Sequence, residues 1–211
     1  MSHKNTPTLL WILGAIVLAI TVRVLFLGVF KVPTVTMTPT LVEGDIILAN
    51  KLAYQYQNKK PEYGDVVVFS RPQKMGQYFI KRVVALPGDT IAIKNGVLYL
   101  NKKPCIYEKI KDLENFVVME ELCNQSIRRV LLATSGELKS KDLAEITVGS
   151  DEYYVLGDNR DTSDDSRDWG PIKFDQVASK ATYVWISVGS TQDSISQEKG
   201  FRFSRFLTKI K

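Results

Sequence analysis

The sequence predicts a mostly β protein, in which an antiparallel β-sheet domain with an inserted lobe follows one N-terminal transmembrane helix. Three observations predict this fold class. The stretch Leu9–Phe30 is apolar over 22 residues and holds one charge. Beyond it, apolar residues alternate with polar ones or form short runs rich in Val, Ile, Tyr and Phe, a pattern typical of strands. Residues of about 102–147 are instead charged and rich in Lys and Glu, which indicates an insertion in the β domain.

The apolar stretch Leu9–Phe30 is long enough to span a membrane. As a helix it extends roughly 33 Å, at about 1.5 Å per residue, which matches a hydrocarbon core. Its one charge, Arg23, costs about 2.5–3.5 kcal/mol at a helix centre and less near an end. The alternative is a cleaved signal peptide, which also begins with a cation such as Lys4. Because no small-x-small cleavage site follows the run, we expect an uncleaved anchor over residues 9–30.

The orientation of the anchor depends mainly on the cysteines. Lys4 and Lys31 flank the apolar stretch on opposite sides, so the positive-inside rule gives little information about which end faces the cytosol. Cys105 and Cys123 are the two cysteines of the chain, and an even pair outside the cytosol commonly forms a disulfide. A reduced, buried pair is the alternative. We therefore expect a short cytoplasmic head (1–8) and an extracytoplasmic domain (31–211).

The β domain is predicted from six segments and their turns. Asn95–Gly96 lies between two apolar runs and predicts a tight hairpin. Gly-Asp pairs, which are frequent in turns, occur next to strand-like runs at four places: Gly44–Asp45, Gly64–Asp65, Gly88–Asp89 and Gly157–Asp158. "LENFVVMEEL" within the insertion fits either a short helix or a strand. The six predicted strand segments are "DIILAN", "DVVVFS", "YFIKRVVAL", "TIAIKNGVLYLN", "EYYVLGD" and "KATYVWISVG".

Charge and composition exclude several classes of function. The net charge of +5 is spread widely, whereas nucleic-acid binding requires cations gathered on one face. Only the tail Gly200–Lys211 concentrates cations, among apolar residues and without an anion. This pattern fits an anionic membrane surface, and a terminal strand and helix with solvated cations is the alternative. With a single histidine, the two cysteines do not form a four-ligand zinc site of the usual kind, and nothing calls for a metal or cofactor.

Lys81 is the candidate for a catalytic base. The sole histidine, His3, precedes the anchor, so a Ser-His-Asp hydrolase is excluded. A lysine serves as a base for a hydroxyl nucleophile when desolvation lowers its pKa from about 10.4 towards 8. Lys81 lies in an apolar run and shares a strand face with Phe79 and Val83. Arg82 points to the other face and does not deprotonate. The alternative is a snorkelling lysine on an edge strand.

The segment Gly157–Gly170, "GDNRDTSDDSRDWG", is rich in side-chain oxygens, which suggests a calcium loop. It does not match the EF-hand, because the required glycine is missing and Arg160 and Arg167 lie among the ligand positions. Arg–Asp pairing that rigidifies the loop fits the composition better. Ser163 and Ser166 in this loop either orient a neighbouring group or cap turns.

Four segments, in this order behind an N-terminal apolar stretch, resemble type I signal peptidase (bacterial leader peptidase), a membrane-anchored Ser/Lys-dyad protease. They are "VPTVTMTPTLVEGD", "YGDVVVF", "YFIKRVVALPGD" and "GDNRDTSDDSRDWGPI". The resemblance covers most of the chain outside the insertion. It implies a single-pass protein of the bacterial cytoplasmic (inner) membrane, with its domain on the extracytoplasmic or periplasmic side. It also implies cleavage of secretory preproteins after an Ala-x-Ala-like sequence, contact with membrane lipid and the export machinery, and no cofactor.

The resemblance also implies roles for individual residues. Lys81 takes the place of the general base, and Thr36 takes the place of the nucleophile. Thr34 takes the place of a hydroxyl group of the oxyanion hole, to which the backbone N–H of residue 36 also contributes. Ser163 takes the place of the residue that hydrogen-bonds the lysine. The positions of the loop-stabilising network are occupied by Asp158, Asp165 and Arg167. The positions that line shallow pockets for small substrate side chains are occupied by Phe30, Val32, Phe79 and Ile80.

Thr36 departs from the family, whose nucleophile is serine. The extra methyl group restricts χ1 and adds bulk beside the scissile carbon. Three interpretations follow: Thr36 is a working nucleophile; the protein is a weak or inactive homologue that acts as a membrane-tethered binding or assembly protein; or the chain is deliberately altered or the nucleophile has moved to Thr34 or Thr38. Retention of Lys81 and Ser163 favours activity.

Overall fold

The protein is described here by a computed structural model, which covers residues 6–55, 59–71, 76–134, 142–189 and 200–211. Helix α1 (Thr6–Phe26) is followed directly by strand β1 (Leu27–Lys31). The end of the predicted apolar span, Leu27–Phe30, is therefore strand, because these residues pair with strand β2 (Asp45–Asn50). Among the described residues, no helix is both long and apolar enough to cross a membrane. His3 and the first part of the predicted head lie outside the described residues.

Most of the remaining chain forms antiparallel β-sheet, as predicted. The largest sheet has nine strands. Besides β1 and β2, they are β3 (Val66–Ser70), β4 (Tyr78–Ala85), β12 (Glu152–Leu156), β13 (Ile172–Lys173), β14 (Val177–Gly189), β15 (Gly200–Phe201) and β16 (Thr208–Lys209). Their order is β1-β2-β14-β3-β4-β12-β13, and β15 and β16 also pair with β14. All six strand segments predicted from the sequence contribute strands.

A four-stranded sheet has the order β11-β5-β6-β7. Its strands are β5 (Thr90–Lys94), β6 (Val97–Leu100), β7 (Lys103–Pro104) and β11 (Leu143–Thr147). Asn95 and Gly96 join β5 to β6 with φ angles of 50° and 77°, as a tight hairpin requires. The predicted hairpin is therefore confirmed.

Three of the Gly-Asp pairs form the same turn. Gly44, Gly64 and Gly88 have positive φ angles of 84–87°, which favours glycine. In each turn the following aspartate accepts a hydrogen bond from the backbone N–H three residues before it. These turns fix the ends of strands β2, β3 and β5, as the sequence indicates.

The inserted segment contains a three-stranded sheet of its own, with the order β10-β9-β8. Its strands are β8 (Ile106–Asp112), β9 (Phe116–Cys123) and β10 (Ser126–Ala133), so "LENFVVMEEL" runs into a strand. A disulfide joins Cys105 to Cys123 across 4.7 Å between their Cα atoms. Both cysteines are buried in an apolar cluster shared with β5 and β6. The lobe is therefore packed against the β domain.

The tail Gly200–Lys211 folds back along β14, and two of its cations are bound to the β domain. Arg202 is 2% exposed and donates to the carbonyl of Glu43 at 2.9 Å. Arg205 pairs with the buried carboxylate of Asp45 through Nε at 3.0 Å and Nη2 at 2.5 Å. Both arginines thus brace the segment that connects β1 and β2, which carries Thr34 and Thr36.

Candidate active site

Strand β4 places Lys81 in the interior, next to the segment Gly157–Gly170, called the acidic loop below. Its side chain is 3% exposed, and Nζ donates to Ser163 Oγ at 2.9 Å. Burial lowers the pKa of Lys81 from 10.5 to about 8, because the charged form loses water; Asp165 and Asp164 oppose this shift only in part. Lys81 is therefore close to losing its proton near neutral pH, and it is not a snorkelling lysine.

The segment between β1 and β2 places two threonine hydroxyls side by side. Thr34 Oγ1 and Thr36 Oγ1 are 3.2 Å apart and share a hydrogen bond. The acidic loop holds this segment: the backbone N–H of Asn159 donates to the Thr36 carbonyl at 3.1 Å, and Asn159 Nδ2 donates to the Val35 carbonyl at 3.3 Å. Thr36 is thereby fixed relative to the loop that carries Ser163.

Thr34, Thr36 and Lys81 line one cleft of about 600 Å³. Its other walls are mainly apolar, with few polar groups, as is usual for a binding site. The rings of Phe30 and Tyr78 meet edge to face across 5.1 Å between their centroids. All four positions expected to bind substrate lie in this lining: Phe30, Val32, Phe79 and Ile80. Tyr78, Met37 and Asp164 also line it, although the sequence analysis did not single them out.

Arginine–aspartate pairing holds the acidic loop together. Asp165 is fully buried and accepts from Arg167 Nε and Nη2, each at 2.8 Å, and from the backbone N–H of Gly157 at 2.9 Å. Burial raises the pKa of Asp165, but the bonds from Arg167 and Gly157 outweigh it, so the pKa is lowered overall. Asp165 also caps the short helix α2 (Ser166–Trp169). Ser166 Oγ accepts from the Val155 backbone N–H at 3.0 Å, which ties the loop to β12.

A second pair joins the loop to the strand that carries the lysine. Arg82 Nε and Nη2 donate to the two carboxylate oxygens of Asp158 at 2.7 and 2.6 Å. Both side chains are 1% exposed. Because two parallel hydrogen bonds join the guanidinium to the carboxylate, they fix the relative orientation of the two side chains as well as their distance. Because Arg82 follows Lys81 in β4, this pair sets the position of the loop relative to the lysine.

Gly157 is a residue that sequence reasoning misread. Unlike the other Gly-Asp glycines, it does not have a positive φ angle. A Cβ at this position would instead overlap Ser163 Oγ, and would lie 2.5 Å from Ser163 Cβ and 2.6 Å from the Thr36 carbonyl oxygen. The absence of a side chain is therefore what lets Ser163 and Thr36 approach each other. Its place in a Gly-Asp pair carried no signal of this role.

The inserted lobe reaches the acidic loop through a buried carboxylate. Glu121 of β9 is fully buried and accepts from Tyr107 Oη at 2.7 Å, from Arg160 Nη2 at 2.8 Å and from Arg128. The N–H of Leu131 in β10 also donates to the Asp158 carbonyl at 2.8 Å. Glu121 and Arg128 face each other in the β9–β10 hairpin, but the partner that links them to the acidic loop, Arg160, is 39 positions away, so no local pattern predicts the cluster.

Within the described parts of the chain, no group of three or more His, Cys, Asp or Glu residues is arranged to hold a metal ion. Asp158 and Asp165 of the acidic loop are held by arginines, whereas Asp164 lines the cleft. The cleft therefore combines a partly deprotonated lysine, two threonine hydroxyls and a carboxylate. This set suits acyl transfer by an activated hydroxyl.

Comparison with known proteins gives the same family in two ways. Residues 6–186 match the family described as signal peptidase, peptidase S26. The signal peptidase I of Rickettsia bellii is 30% identical over 211 residues, covering 83% of this chain and 71% of the relative. That of Rickettsia typhi is 32% identical over 206 residues, covering 83% and 78%.

The crystal structure of a signal peptidase I from Enterococcus faecalis is also similar. It is 29% identical with a TM-score of 0.37, and the match covers 58% of this chain and 97% of that one. The family match extends from the first turn of α1 into β14 and so includes every residue of the cleft. The chain belongs to the signal peptidase family, peptidase S26.

Proposed function

We propose that this protein is an endopeptidase that removes signal peptides from secretory preproteins, with Thr36 as nucleophile and Lys81 as general base. The observation that carries the proposal is the buried amine of Lys81, which lines the same cleft as the Thr36 hydroxyl and has a pKa of about 8. At pH 7 such an amine is deprotonated in about one molecule in ten, against about one in three thousand at a pKa of 10.5.

In the first step Thr36 Oγ1 attacks the scissile carbonyl carbon and passes its proton to Lys81 Nζ. The carbonyl oxygen becomes an oxyanion, which the Thr34 hydroxyl and the backbone N–H of Thr36 stabilise. The ammonium of Lys81 then returns the proton to the leaving amine, and an ester to Thr36 remains. Water hydrolyses this ester by the same route, with Lys81 again as base. Ser163 orients the amine of Lys81 throughout, and the 2.9 Å hydrogen bond between Lys81 Nζ and Ser163 Oγ supports this role.

The cleft supports selection of small side chains. Phe30, Val32, Phe79 and Ile80 give it apolar walls, which favour apolar over polar substrate side chains. We therefore propose cleavage after an Ala-x-Ala-like sequence.

We propose further that the protein is anchored once in a bacterial cytoplasmic membrane by the apolar residues 9–26 of α1, with its β domain on the extracytoplasmic side. The apolar sequence of this stretch supports the anchor, and the Cys105–Cys123 disulfide supports the oxidising side. Exposed apolar side chains in the tail, Phe203 and Leu207, support contact with lipid. Preproteins emerging from the export machinery would then meet the cleft near the membrane surface.

Cleavage of a preprotein by the purified full chain in detergent tests the proposal. We expect one cut after a small residue, identified by mass spectrometry, and its loss in Thr36→Ala and in Lys81→Ala. Thr38→Ala is the matched control, because Thr38 belongs to the same segment but its buried hydroxyl points to the Leu41 carbonyl at 3.4 Å. Preprotein binding without cleavage, unchanged in Thr36→Ala, would indicate a tethered binding protein instead.

A further inference from the structure

A basic groove of about 300 Å³ lies between strand β10 and the tail Gly200–Lys211. Five cationic side chains and one carboxylate, Glu120, line it. The cations are Arg128, Arg129, Arg205, Lys209 and Lys211. The groove lies on a different set of residues from the cleft, so the proteolytic function does not account for it. A concave surface lined by one sign of charge raises the local concentration of the opposite ion.

The wall of this groove belongs to a buried cluster with too few anions. Three guanidinium groups (Arg82, Arg128, Arg160) interact with two carboxylates (Asp158, Glu121), and all five side chains are buried. Buried charges are stable only when they are paired and hydrogen-bonded. The cluster therefore has three cationic side chains for two side-chain carboxylates, and Arg82 completes its partners with oxygens of Gly64 and Lys211 at 2.7 and 2.9 Å.

Arg128 shares its carboxylate with a second guanidinium. Its Nε donates to Glu121 Oε1 and its Nη2 forms an ion pair with the same oxygen, while Glu121 also accepts two hydrogen bonds from Arg160. Burial lowers the pKa of Arg128, and Glu121 opposes this only in part because Arg160 and Arg82 repel the same charge. Of the five charges in the cluster, Arg128 is the one that lines the groove.

The outer cations of the groove are available to a ligand. Arg129 and Lys209 are exposed, and neither has an ion pair among the residues that the structure describes. Arg205, in contrast, is committed to Asp45. Glu120 faces Arg129 across the β9–β10 register, which limits but does not cancel the positive charge.

We propose that this groove binds a phosphate group, held by the guanidinium groups of Arg128 and Arg129 and the ammonium group of Lys209. Phosphate oxygens accept charge-assisted hydrogen bonds from a guanidinium fork, and their charge offsets the buried excess. Two sources share this chemistry: the headgroup of an anionic lipid and free phosphate. The exposed apolar side chains of Ile127, in the groove, and Leu207, beside it, favour the lipid. Binding of a lipid headgroup depends on the membrane location proposed above, whereas binding of free phosphate does not.

Ligand-dependent stability and calorimetry of the full chain test this proposal without any substrate. In non-ionic detergent at constant ionic strength, the chain is titrated with inorganic phosphate and, separately, with micelles containing phosphatidylglycerol or phosphatidylcholine. The variant Arg129→Gln/Lys209→Gln removes two exposed cations from the groove and leaves the buried cluster intact. Lys103→Gln/Lys111→Gln is the matched control, because it removes two exposed cations from strands β7 and β8.

We expect phosphatidylglycerol to raise Tm, since a ligand that binds the folded state stabilises it. The groove variant should bind about tenfold more weakly, as expected for the loss of charged hydrogen bonds, while the control binds normally. A response to phosphatidylglycerol alone identifies the lipid headgroup as the source, and an equal response to inorganic phosphate identifies the phosphate group itself. The proposal is overturned if neither phosphatidylglycerol nor inorganic phosphate raises Tm more than phosphatidylcholine or chloride does. It is also overturned if the groove variant and the control variant lose binding equally. Because no cleavage is measured, these outcomes are independent of the proteolytic function.

Discussion

Gly157→Ala tests whether close approach of Ser163 and Thr36 is needed for catalysis. The new Cβ would lie 2.5 Å from Ser163 Cβ and 2.6 Å from the Thr36 carbonyl oxygen, whereas ordinary contacts begin near 3.4 Å. Both neighbours must therefore retreat by roughly 1 Å. A displacement of about 1 Å in reacting groups costs about 100-fold in rate. The cost to folding is that of overpacking, about 1–3 kcal/mol.

The assay is kcat and KM for preprotein cleavage, with thermal unfolding measured in parallel. We expect kcat to fall about 100-fold with KM little changed, because Gly157 does not line the apolar cleft. Gly149→Ala is the matched control. It also lacks a positive φ angle, but its new Cβ would meet only the flexible side chain of Glu152. A Gly157→Ala enzyme that folds and keeps its full kcat would refute the claim that catalysis requires Ser163 and Thr36 to lie this close to residue 157.

Three further substitutions test other parts of the account. Thr36→Ser should raise kcat by about tenfold, because the smaller residue relieves χ1 restriction beside the scissile carbon; an inactive serine variant would contradict the assigned nucleophile. Arg82→Lys should lower the free energy of unfolding by about 3 kcal/mol, measured in urea, since lysine does not form the buried fork to Asp158; equal stability would show that the fork is dispensable. Replacing Cys105 and Cys123 by alanine should cost about 3 kcal/mol for a loop of 18 residues, with kcat unchanged while the protein is folded; loss of kcat in a folded variant would contradict a purely stabilising role.

The strands could be predicted because their patterns are local. "YFIKRVVAL" alternates in a way that places Lys81 and Arg82 on opposite faces, and the structure sends one to Ser163 and the other to Asp158. The Asn95–Gly96 hairpin follows in the same way from the conformational preferences of two residues. The end of the first helix was misplaced, because pairing of β1 with β2 overrides an apolar run that continues to Phe30.

The supporting contacts could not be predicted, because they join residues far apart in the chain. Glu121 lies in a segment whose sequence indicates a charged surface insertion, yet it is fully buried, and Arg160 of the acidic loop, 39 positions later, donates to it. Arg205 reads as a basic tail residue, but the fold places it on Asp45, 160 positions earlier. Gly157 reads as a turn glycine, and only the packed structure reveals the space it leaves. In each case tertiary contacts decide the role.

The charge around Lys81 predicts how its pKa responds to substitution. Asp164 is exposed, lines the cleft and raises the pKa of Lys81. Asp164→Asn should therefore shift the pH dependence of cleavage to lower pH. Asp151→Asn removes an exposed carboxylate that is not among the groups acting on Lys81, so it should leave the dependence unchanged. Equal shifts in both variants would contradict the proposed local effect.

The pH dependence of kcat/KM measures the protonation of Lys81 in the free enzyme and tests the central claim most directly. The base acts in its neutral form, and its folded pKa is lowered from 10.5 to about 8. Activity should therefore be constant above about pH 8 and fall about tenfold per unit as the pH drops below it. An acid limb near pH 10.5 would show that the amine of Lys81 is hydrated and charged at neutral pH, which would contradict its role as the base.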